Sequence, residues 1–187
     1  MNAVTPVEPS IDLGWDRAIR AAHQWRGEAV DILAQGEALV TEMLVKLHSV
    51  PGRGGGVKMR QLLGQRLSDL QEAIGPDGPF GVEGKGALTR LTRFREHEAL
   101  RAALCHGVAT VLIDRQRRWM LLIKLVALDA SGPKRTNFTI EQQESDALIE
   151  RLQSDVRNLA FALGQINAAL KKTVAEKPPQ QARKTAA

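Results

Sequence analysis

The feature that most restricts what this chain can fold into is an apolar run in its last third. Leu148, Leu152, Val156, Leu159, Leu163, Ile166 and Leu170 recur at steps of 4, 4, 3, 4, 3 and 4. That spacing puts every member on one side of an α-helix and makes a continuous seam that other helices must cover. Thr139, with Gln142 three residues on, has the form of a capping box that opens such a helix.

The partners for that seam lie upstream. Trp15, Ile19, Ala22, Ala29, Leu33, Val40, Met43 and Leu47 predict a long helix over Asp12–Leu47. A second helix is expected over Lys58–Ile74, with Met59, Leu62, Leu63, Leu67, Leu70 and Ile74 inward. A long Gly/Pro loop, Gly75–Gly86, leads to a third helix from Ala87 to Cys105 or His106, with Leu88, Leu91, Phe94, Leu100 and Leu104 apolar. Gly107 is expected to end it in a left-handed conformation.

The pattern then changes. Val108–Ile113 and Trp119–Leu128 are rich in β-branched and large apolar residues around a polar turn, Asp114–Arg117. A β-hairpin fits, and continued helix remains the alternative because Leu121, Leu122 and Leu125 also share a helical face. Ser131-Gly132-Pro133 then breaks the chain. The expected fold is mainly α, an antiparallel bundle of about four helices with a short β-hairpin before the last. Residues 1–11 read as a flexible leader, 12–172 as a single helical domain and 173–187 as a disordered basic tail.

Composition limits the function. The 187 residues are 43% apolar and 25% charged, ordinary for one globular domain. A net charge of +5 permits nucleic acid or an acidic partner without demanding either. With no tyrosine and 4% aromatics, a base-stacking platform is not expected. Cys105 is the single cysteine, which excludes an internal disulfide and agrees with a reducing compartment. The start of the chain shows no secretory pattern and no apolar stretch is long enough to span a bilayer, so a cytoplasmic protein with no membrane contact is expected.

Most candidate sites have plainer explanations. Gly52–Met59 lacks the spacing of a phosphate-binding loop and reads as a flexible linker. His23, His48, His97 and His106 show no paired spacing that would hold zinc, so neither metal nor cofactor is expected. Cys105 reads as a buried or half-buried thiol.

The segment Arg101-Ala102-Ala103-Leu104-Cys105-His106-Gly107 differs. It sets a permanent cation beside an acid–base group at a helix end. An imidazole can take the proton of a ribose 2′-hydroxyl, and a guanidinium can grip the scissile phosphate. On a straight helix the two Cα atoms stand about 7.5 Å apart along the axis, with the side chains about 140° apart around it. Convergence then requires unwinding at His106 or a two-fold dimer. His97 and Glu98, about one turn earlier, are candidates for orienting Arg101.

This segment resembles the Arg-x4–6-His signature of HEPN domains (higher eukaryote and prokaryote nucleotide-binding). The order of elements over residues 12–172 is similar in outline. The resemblance implies an all-helical, commonly dimeric domain and a metal-independent endoribonuclease of a toxin–antitoxin, phage-defence or RNA-processing system. Arg101 and His106 would be the catalytic pair, RNA the substrate, and an antitoxin or other protein a partner. Ala102 departs from the polar residue, often Asn, that usually follows the arginine. Some members of the superfamily are non-catalytic dimerisation or partner-binding modules, and that alternative stands beside the enzyme.

Overall fold

A computed structural model describes residues 13–129 and 132–175. The leader expected at 1–11 lies outside them. So does the expected tail, apart from 173–175, which continue the last helix. The described elements are α1 (Leu13–His48), a 3-10 turn (Gly54–Gly56), α2 (Leu63–Ile74), α3 (Gly81–Arg95), α4 (Glu98–His106), β1 (Val108–Ile113), β2 (Trp119–Asp129), β3 (Gly132–Glu141) and α5 (Gln142–Ala175). The protein is therefore mainly helical, with a small antiparallel sheet before the last helix. None of the described helices is long and apolar enough to cross a membrane. The described chain divides into two compact units, one of 13–31 with 99–150 and one of 32–98 with 151–175.

In the first unit the sheet has the order β1-β2-β3. Continued helix over 108–128 is thus excluded, and the hairpin gains a third strand that the sequence reading did not anticipate. One face is packed: Trp119, Leu121, Ile123 and Ile140 are buried, together with Ala22, Trp25 and Ala29 of α1 and Leu104 of α4. Trp25 donates its indole N–H to the carbonyl of Ser145 at 3.0 Å, and its ring lies 6.0 Å from that of Trp119. The β1–β2 turn is tied at its base, where the Asp114 carboxylate accepts from the Arg118 backbone N–H (2.8 Å) and Nε (2.7 Å). Those bonds, the backbone one foremost, hold the Asp114 carboxyl below its ordinary range. The capping box does not form. Thr139 sits in β3, and Gln142 Oε1 instead accepts the N–H of Trp119 at 3.1 Å.

The second unit holds the seam. Leu152, Val156, Leu159, Leu163, Ile166 and Leu170 are buried, as are Leu33, Val40, Met43 and Leu47 of α1. Helix α2 starts later than expected, and Met59 and Leu62 are exposed rather than inward. The reason is local. Asp69, 1% exposed, accepts the Arg60 backbone N–H at 3.0 Å and Nε at 2.8 Å, which ties Arg60 to α2 from outside the helix. Burial pushes the Asp69 carboxyl up, but the Arg60 bonds outweigh it and hold it below the ordinary range.

Both Gly/Pro segments are ordered and packed. A Cβ on Gly54 would lie 2.1 Å from the His48 carbonyl oxygen, and one on Gly78 would lie 2.1 Å from that of Glu72. Arg53 joins the two segments. It bonds Pro79 O at 3.0 Å, pairs both oxygens of Glu83 at 2.8 and 2.9 Å, and lies 4.4 Å from the centre of the Phe80 ring. Helix α3 begins inside the stretch expected to be loop. Its Gly84 lets α3 cross close to α2, since a Cβ there would fall 2.3 Å from Ile74 Cβ.

Candidate functional site

The third expected helix is two helices, α3 and α4, broken at Glu96–His97. Helix α4 is short but well disposed: Ala102, Ala103 and Leu104 favour helix, and Glu98 in the first turn matches the helix dipole, with His106 in the last turn. Ala103 and Leu104 are buried, Arg101 is half-buried, and Cys105 and His106 are exposed. The reading of Cys105 as a covered thiol is corrected by that exposure: the packed side of α4 is set by Ala103 and Leu104, and Cys105 falls on the next.

Arg101 and His106 meet within one chain, with Arg101 Nη1 3.3 Å from His106 Nε2. A guanidinium only donates, so a hydrogen bond between them has Nε2 as its acceptor. No unwinding brings them together. The Gly107 N–H still bonds Ala103 O at 2.8 Å, so helical bonding runs through the signature, and the long arginine side chain bridges the last turn.

Gly107 acts differently from expectation. Among the described residues the glycines with positive φ are Gly52 and Gly132. Gly107 is required for space, because a Cβ there would stand 2.4 Å from Ile123 Cγ2 and 2.5 Å from Ala103 O. That close approach lets β1 start one residue after the helix ends.

A residue the sequence reading missed holds this junction. Arg26 of α1 donates Nε to Leu104 O at 2.9 Å and Nη2 to Leu104 O and to Gly107 O, the latter at 3.3 Å. These carbonyls belong to the end of α4, which carries partial negative charge and lacks helical donors. Nothing in the spacing of α1 marks Arg26 for this, since its partners lie 78 and 81 residues away.

The auxiliary candidates have partners of their own. His97 is buried, its Nε2 2.8 Å from Asp155 Oδ2 and its ring edge-on to Phe94. Arg93 Nε stands 3.6 Å from the same oxygen. Glu98 Oε1 accepts from Arg95 Nε at 2.8 Å. In the second unit a cavity of about 570 Å³ is lined by Lys58, Asp69, Glu72 and Arg95 among others. Its charged side chains already have partners: Lys58 pairs with Glu72, Asp69 with Arg60, and Arg95 bonds Gln71 and Glu98. Among the described residues no three His, Cys, Asp or Glu side chains gather to hold a metal ion. No family model, curated protein or solved structure matches the chain.

Proposed function

We propose that this protein is a HEPN-like endoribonuclease in which Arg101 and His106 cleave RNA without a metal ion. The observation that carries the reading is the 3.3 Å approach of the Arg101 guanidinium to Nε2 of an exposed imidazole. When a phosphodiester enters, Arg101 turns its paired N–H groups to the phosphate oxygens and releases the Nε2 lone pair. His106 then takes the proton of the 2′-hydroxyl, whose oxygen attacks phosphorus. The 5′-oxygen of the next nucleotide leaves and takes up the proton that His106 had accepted, passed on through water, so the fragments end in a 2′,3′-cyclic phosphate and a 5′-hydroxyl and the imidazole returns to its starting state. Buried Ala103 and Leu104, with Arg26 on the end carbonyls, fix the turn that holds the pair. A homodimer and a cognate inhibitor protein belong to the same reading.

Ala102, in the position after the arginine, favours a second reading, a non-catalytic dimerisation or partner-binding module. Cleavage separates the two. The wild type is expected to cut single-stranded RNA in the presence of a chelator. His106→Ala should abolish cutting with little change in melting temperature, and Arg101→Lys should be severely impaired, because an ammonium has no planar pair of donors. Full activity in His106→Ala would remove the proposal.

A further inference from the structure

The sheet of the first unit has a second face. By strand alternation and register it carries Val108, Thr110 and Leu112 of β1, the even residues of β2 from Met120 to Leu128, and the odd residues of β3 from Pro133 to Glu141. The opposite face holds the buried Trp119, Leu121, Ile123 and Ile140, whereas Val108, Lys124, Val126, Arg135 and Asn137 are all exposed.

Charge on this open face is segregated. Lys124 and Arg135 sit in adjacent rows, Lys124 opposite Asn137 and Arg135 opposite Val126. Glu141, the one carboxylate the alternation places there, is at the other end, opposite Met120. Among the described residues neither cation has an ion-pair partner. The cationic end is also the end nearest the candidate site, because Val108, two residues after His106, pairs with Lys124. Two Cα–Cα steps and one strand spacing keep the Lys124 Cα within about 13 Å of that of His106. Beyond that row β2 and β3 run on for five further pairs as a two-stranded ribbon, past the α4–β1 junction.

We infer that this cationic end of the open sheet face is the track for the single-stranded RNA backbone leading to Arg101 and His106. Lys124 and Arg135 each neutralise one phosphate, and Asn137 and Thr139 supply neutral hydrogen bonds. The exposed Val108 and Val126 offer apolar contact to sugars and base edges. The inference rests on the ribonuclease reading and adds to it where the substrate lies. It also accounts for RNA use by a chain with few aromatics, since two point charges hold a backbone without stacking.

The test measures binding of a single-stranded RNA whose 2′-O-methyl groups block cleavage, by fluorescence anisotropy over a range of salt. Lys124→Glu/Arg135→Glu should weaken binding tenfold or more. Losing two phosphate contacts should lower the slope of log affinity against log salt by about 1.4. Cleavage of ordinary RNA by the variant at saturating protein should keep the wild-type rate constant, with only the half-saturating concentration raised. Lys46→Glu/Arg157→Glu, the same charge change on the second unit, is the control. Lys124→Gln/Arg135→Gln serves if the double reversal does not fold, with the same slope change expected. If the wild type cuts RNA and the sheet variants match the control, the track is wrong and the ribonuclease reading survives. If the wild type neither binds nor cuts RNA, both fall. If Val126→Asp turns a dimer into monomers without affecting RNA affinity, the face joins copies of this chain and the track is again wrong.

Discussion

Arg26 is the residue whose loss should report most clearly on how the site is built. Arg26→Met keeps the aliphatic length and deletes the guanidinium. Two carbonyls at the end of α4 then lose their donor, Leu104 O at 2.9 Å and Gly107 O at 3.3 Å. Hydrogen bonds to a charged group are worth about 1.5–3 kcal/mol when buried, and the more distant bond counts for less. Water reaches this half-buried site and offsets part of the loss, so the net cost should be about 2 kcal/mol. For a chain of this size that corresponds to a fall in melting temperature of about 4–8 °C. Arg26→Lys should recover about half of it, because an ammonium keeps the charge at the helix end without bridging both carbonyls. Thermal and urea unfolding read the stability, and amide exchange at Val108 reads the junction itself. RNA cleavage should fall in Arg26→Met even below its melting range, as the last turn of α4 loosens. A melting temperature equal to that of the wild type, with unchanged exchange at Val108, would refute the account of the junction.

Gly107→Ala should destabilise the protein by about 1–3 kcal/mol through overpacking against Ile123 and Ala103, seen as a lower urea midpoint, and Ile123→Ala should relieve only part of it. Leu159→Ala, at a fully buried seam position, should cost about 2–5 kcal/mol, whereas Phe161→Ala, 70% exposed, should melt as the wild type does. Asp69 gives a pH signature. Its carboxyl is held below the ordinary range, so the unfolded chain takes up the proton first and the stabilisation present above pH ~4 is lost as pH falls through the folded value. The wild type should therefore lose urea stability more steeply than Asp69→Asn as pH falls below about 5, and parallel curves would count against the Arg60–Asp69 account.

Long-period patterns were legible in the sequence. The α5 seam, the length of α1 and the β1–β2 hairpin all follow from spacing, because burial on one face imposes a period. Leu148 is a small exception, half-buried while Ile149 takes the covered place. What escaped depends on contacts between distant residues. Helix α3 starts at Gly81, in a glycine-rich stretch whose Gly84 leaves room for Ile74, and such a stretch reads as loop when its neighbour is unknown. Strand β3 was hidden by Ser131-Gly132-Pro133 and by its polar open face. At the candidate site the Arg101–His106 spacing was visible, but ideal helix geometry argued against their meeting. Cβ directions five residues apart diverge, but a guanidinium is long enough to cross the turn. Arg26 left no local trace.

The central claim is that Arg101 and His106 direct a 2′-hydroxyl at the adjacent phosphate. Mass analysis of the RNA fragments made by the wild-type protein in chelator tests it most directly. The account predicts 2′,3′-cyclic phosphate on the upstream fragment, a 5′-hydroxyl on the downstream one, and no cut where the scissile nucleotide carries 2′-deoxyribose. Fragments bearing 5′-phosphates, or cleavage at the deoxyribose position, would contradict it.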